Sequence, residues 1–121
     1  MIELFREDEI KKSGLTAELL LQKFKEQLFR DFEMCNLDSY LSPLTDISYP
    51  AIHRNVQNAI DKITKSGSSA YQNLLYRIDI SEKQLTEGLQ ENRNREQSDV
   101  IAELIIKRIL QKVILKVIYS K

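Results

Sequence analysis

A single cysteine, Cys35, leaves no material for an intrachain disulfide, a Cys-x-x-C redox pair or a cysteine-rich zinc site. That poverty suits a reducing, cytoplasmic setting. A single histidine, His53, is too few for a histidine-based metal centre unless distant carboxylates converge on it. Neither sign of charge is in excess: 18 basic and 18 acidic side chains cancel, so the positive field that supplies most non-specific affinity for nucleic acid is missing. The opening MIELFREDEI is acidic, the wrong order and sign for a secretory signal, and nothing in it directs export. No long apolar run is uninterrupted. The most apolar stretch is broken by Lys107, Arg108, Lys112 and Lys116, each unfavourable by about 2.5–3.5 kcal/mol near a bilayer centre, so a membrane span is not expected.

What is present is a folded chain's composition, 42% hydrophobic and 30% charged, at a length that suits a single domain over 1–121. The spacing of apolar residues predicts helices. Residues 2–12 mix Ile2, Leu4, Phe5 and Ile10 with charges and read as an amphipathic turn or a frayed end, within 1–14, that docks by Phe5. Leu15, Thr16 and Leu20 occupy the places of a hydrophobic staple and its N-cap, which starts a helix at Ala17. Leu20, Leu21, Phe24, Leu28 and Phe32 carry it to Met34. A Pro- and Ser-containing loop runs from Asn36 to Pro50, and a second helix succeeds it from Pro50 to Lys65 with Ile52, Val56, Ile60 and Ile63 on one face. Tyr71, Leu74, Leu75 and Ile78 mark a third, although alternation over 76–80 also admits a strand. Ser81 with Gln84 forms a capping box that starts a surface helix at Glu82, and 90–97 reads as a polar, solvated connector.

The final helix is expected from Asp99 to Ser120, with Ser98 as its cap. Ile105, Ile106, Ile109, Leu110, Val113 and Val117 cover one broad side, while Leu104, Leu115 and Ile118 lie on another. One side takes the first two helices. The other needs either the N-terminal segment and third helix, or a second copy of the chain. A strand over 112–119 is the rival reading, since β-branched residues favour pleated sheet. The expected fold is therefore all-α: a four- to five-helix domain packed around a long hydrophobic C-terminal helix.

No residue set carries recognisable catalysis, and no cofactor is implied. Cys35 sits between Glu33 and Asp38, which disfavour a reactive thiolate. His53 has Gln57 and Asp61 along its helix, the latter too far for a dyad. The one cluster resembling a ligand rim is Asp38, Tyr40, Asp46, Tyr49 and His53. Arg93, Arg95, Lys107, Arg108, Lys112 and Lys116 give the last thirty or so residues a basic excess, read as a solvent-facing stripe in preference to a phosphate- or membrane-binding face. The leading functional expectation is a cytoplasmic, non-enzymatic interaction protein that forms a homodimer through Leu104, Ile105, Ile109, Val113, Leu115, Val117 and Ile118. A small-ligand or enzymatic site at residues 38–53 is the alternative, with nucleic-acid binding behind it.

Overall fold

Four residues at helical spacing, Leu20, Phe24, Leu28 and Phe32, lose all contact with solvent, and the helix that carries them lies against the C-terminal helix. The computed structural model describes residues 6–46, 48–67 and 69–119, so the docking expected of Phe5 lies outside the described residues. Among these residues there are six α-helices and no strand: α1 (Glu7–Ser13), α2 (Ala17–Met34), α3 (Tyr49–Lys65), α4 (Ala70–Ile78), α5 (Glu82–Glu91) and α6 (Gln97–Tyr119), with a short 3₁₀ turn at Asp38–Tyr40. The fold is all-α. It has one or two helices more than the sequence suggests.

The additional helix is α1, where the sequence suggests an amphipathic turn or a frayed end. Glu9 accepts a 2.9 Å hydrogen bond from the Arg6 N–H at its start, and Gly14 (φ 71°) ends it in the left-handed conformation that lacks a Cβ penalty. Ser13 is buried there without strain, donating to the Ile10 carbonyl and accepting from the Leu15 N–H. Thr16 accepts from the Leu19 N–H, so α2 begins at the expected cap. After α2, the N–H of Leu37 returns to the Phe32 carbonyl across Asn36 (φ 59°), and Leu37, Leu41 and Leu44 then anchor the loop in the core. Asn55 holds that loop to α3 through both backbone groups of Ser42.

The strand alternatives fail for identifiable reasons. α4 is helical through Ile78; Asp79 (φ 71°) then reverses the chain so that the Ile80 N–H bonds the Leu75 carbonyl, a helix-ending motif that leaves no extended 76–80 segment. Residues 112–119 stay helical because Val113 and Ile114 are buried by neighbouring helices, and tertiary packing outweighs β propensity. α6 has 23 residues, about 34 Å at 1.5 Å per residue, and packs against each of the other five helices. Ser98 is not its cap. It lies inside the first turn, buried, and accepts a hydrogen bond from Gln57 of α3. No helix among the described residues is long and apolar enough to cross a membrane.

A carboxylate lies inside this core. Asp31 of α2 is 0% exposed; Arg77 of α4 (3.3 Å) and Lys112 of α6 (2.9 Å) both contact it, and Gln27 donates to it from one turn earlier. Lys116 reaches Gln27 in turn. Lys112 is thus not part of a solvent-facing stripe: its side chain is 18% exposed and aimed inward. Removing one partner of a buried pair leaves an uncompensated charge. Lys112→Ala should destabilise the protein by about 3 kcal/mol in urea unfolding. Asp31→Leu combined with Lys112→Met should recover most of that loss; a double variant no better than the single one would show the pair to be net stabilising.

Candidate functional site

The N-terminal ends of α3 and α6 meet side by side. On α3, Ser48 caps the helix, Tyr49 and Pro50 open it, and His53 and Gln57 come at successive turns. On α6, Asp99 and Glu103 occupy the first two turns, with Arg95 just ahead of them. The His53 ring nitrogen Nε2 lies 2.9 Å from the Asp99 carboxylate and 3.0 Å from its backbone carbonyl, and the Tyr49 ring stands 5.9 Å from the His53 ring between centroids. Arg95 grips Asp99 with two hydrogen bonds of 3.0 and 2.8 Å and Glu103 with a third of 2.6 Å. Lys107 holds the other Glu103 oxygen at 2.9 Å. Tyr49, His53, Arg95, Asp99 and Glu103 wall an open depression of about 410 Å³.

The electrostatics derive from that pairing. Hydrogen bonds from Arg95 are the main cause holding the Asp99 carboxyl below its ordinary value, with burial opposing and His53 helping. Burial pushes Glu103 up, but Lys107 and Arg95 outweigh it and leave that carboxyl lowered as well. The Arg95 guanidinium is pushed further up by the same bonds. Tyr49 is shifted upward by burial and by the Glu103 and Asp99 carboxylates against the opposing pull of Arg95, so its phenol stays protonated at neutral pH. Two cations and two carboxylates thus satisfy one another, and among the described residues no serine, threonine or cysteine lines the depression as a nucleophile. The arrangement is a clamp between helix ends.

Of the five rim residues expected from the sequence, the structure brings together Tyr49 and His53 only. Asp38 and Tyr40 lie in the 3₁₀ turn, where Tyr40 packs on the core. Asp46 accepts from the Ser48 N–H at 3.0 Å, the main cause lowering its carboxyl, and lines a separate shallow hollow with Arg54 and Asn58. The residues that sequence reasoning missed are Arg95, Asp99 and Glu103. Their i, i+4 and i+8 spacing on an acidic helix start is a visible sign of a local ion network, but its meeting with His53 spans 46 residues. Among the described residues, no group of three or more His, Cys, Asp and Glu side chains is placed to hold a metal ion. Cys35, at the end of α2, has its thiol pushed up by burial, with Arg77 opposing and Asp31 adding to the rise.

The basic residues of the last thirty or so positions are largely consumed by internal partners: Arg95 and Lys107 by α6 carboxylates, Arg108 by Asp79, Lys112 by Asp31, and Lys116 by Gln27. The expected apolar interface divides. Ile105, Ile109 and Val113 belong to the chain's own core, and Val117 and Ile118 are half-buried against it. Leu104 is half-buried under α5, whereas Leu115 is 46% exposed and Tyr119 80%. No protein-family model matches this chain, and neither a curated protein nor a solved structure is significantly similar to it.

Because Asp99 and Glu103 are lowered in the folded state, their contribution is complete above the unfolded carboxyl values and is lost as pH falls through the folded ones. Melting temperature should therefore fall between about pH 5 and pH 2, and Asp99→Asn with Glu103→Gln should flatten that limb while lowering its neutral plateau. An unchanged acid limb in thermal melts of this variant would mean the clamp carries no linkage.

Proposed function

We propose that this protein is a non-enzymatic interaction module that associates with a second copy of itself through the outer side of α6. What supports the reading is a seam centred on the exposed Leu115: Leu104, Arg108, Gln111, Leu115 and Ile118 recur at spacings of four, three, four and three, the repeat that lets two helices supercoil, with Leu104 beneath α5 and Ile118 half-buried at its two ends. Its C-terminal half carries the best-exposed large aliphatic side chain of α6, Leu115. Polar residues within such a seam, here Arg108 and Gln111, select register and partner at some loss of stability. The seam differs from the interface expected from the sequence. Ile105, Ile109 and Val113 face inward, so altering them would unfold the chain before it informed on assembly.

The competing reading places a small ligand in the depression walled by Tyr49 and His53. Its polar groups already satisfy one another, so an incoming ligand would have to break charge-assisted bonds.

Molar mass by light scattering during size exclusion, at two protein concentrations, tests the proposal. The wild-type chain should show a mass that rises toward twice 14.2 kDa with concentration. Leu115→Asp places a charge on a half-exposed position and should leave the helical content and melt intact while returning the mass to that of a monomer. A wild-type monomer at both concentrations overturns the reading.

A further inference from the structure

α5 differs from its neighbours in how it is held. Although ten residues long, it buries no side chain fully, and its large apolar residues are only Leu85 and Leu89. An isolated helix of that length is marginal in water, and Gly88 at its centre weakens it by roughly 1 kcal/mol relative to alanine. Its packing is on α6. Toward α4 it leaves an open hollow of about 690 Å³ walled by Tyr71, Leu75, Tyr76, Ile80 and Leu85, so there is room on that side for movement.

Both ends of α5 are closed locally. Ser81 and Gln84 cap its start reciprocally, and the Asn92 side chain bonds the Gly88 carbonyl at its end. Arg95 secures the beginning of α6 to Asp99 and Glu103, and it also donates to the Asn92 side chain at 3.2 Å, so the joint between the end of α5 and the start of α6 is itself tied. α5 can therefore part from the body of α6 about that joint while the Arg95 bonds to Asp99 and Glu103 stay in place. A segment with few buried contacts, closed by local bonds at its ends, is one that opens below the global unfolding energy.

What it covers is specific. A Cβ at Gly88 would stand 3.2 Å from Leu104 Cδ1 and 3.6 Å from Val100 Cγ1, so the glycine lets α5 settle directly on those two side chains. Leu104 is the first position of the seam. We propose that α5 is a displaceable cover whose lifting extends the seam from Leu115 and Ile118 back to Leu104 and Val100, for occupation by the second copy. The second half of this inference rests on the self-association reading; the lifting of α5 does not.

Two measurements separate them. In a Cys35→Ser background, Val100→Cys is labelled with N-ethylmaleimide under native conditions and compared with Ala59→Cys, a small-for-small change in the core of α3, each rate referred to that variant's own urea-unfolding stability. The Val100→Cys thiol should react at least about tenfold faster than global unfolding permits, and the Ala59→Cys thiol only as fast as unfolding permits. Labelling of both limited by global unfolding overturns the cover. Gly88→Cys with Val100→Cys in the same background then allows α5 to be fastened by a disulfide. Oxidation should lower the concentration-dependent mass seen by light scattering at least about threefold in association constant, and reduction should restore it. Association indifferent to the disulfide overturns the link between cover and seam. A chain that labels fast yet stays monomeric leaves α5 displaceable and removes the second copy as its occupant.

Discussion

Asp31 constrains the whole arrangement of helices. A carboxylate fully removed from solvent is tolerable only where cations reach it, and here they come from two other helices, Arg77 on α4 and Lys112 on α6. For Lys112 to point inward, α6 must present the side that also carries Ile105, Ile109 and Lys116, which sets its rotation about its own axis. The outer placement of Gln111 and Leu115 is a consequence of that same rotation. A buried ion pair is a poor source of net stability, yet it penalises alternatives sharply, since any slip of α6 along α2 would strand a charge in the core. With α6 apolar over most of its circumference, hydrophobic burial alone would tolerate several rotations.

A second polar junction acts at the other end of α6. His53, Asp99, Arg95 and Glu103 tie its first turns to the start of α3, while Asp31 and Gln27 take Lys112 and Lys116 toward its end. The equality of acidic and basic residues is thus a local property as well as a total. Most cations of the C-terminal region meet a carboxylate or amide within the chain.

The parts of this architecture that are legible in the sequence are those encoded within a few residues. Thr16 and the Ser81–Gln84 box mark helix starts at the positions where the backbone begins to turn, because capping depends on neighbours three positions away. Asp31 carries a local signal too: it falls near the end of the stripe formed by Leu20, Phe24 and Leu28, where a carboxylate needs a partner. The partner's identity is not readable, since Lys112 lies 81 residues further on. His53 presents the same case. Its own helix offers Asp61, whereas the contact that exists crosses to α6. Ser98 has the residue type of a cap; only the packing of Gln57 against it reveals the hydrogen bond that lets a serine sit buried one residue inside the helix.

α5 shows why strength of local signal and depth of burial are separate quantities. Its start is among the best-specified boundaries in the chain, and it is the one helix among the described residues without a fully buried side chain. Depth of burial and strength of cap need not go together: α4 buries Leu74, Leu75 and Ile78, while the side chain of its N-cap residue Ser69 makes no cap hydrogen bond. Reciprocal capping matters most where tertiary contacts are few or interrupted, because it then supplies the stability that packing does not. The pairing of a strong cap with Gly88, a residue that weakens the helix yet lets it lie close on Leu104, fits an element that must keep its shape while its hold on the body stays light.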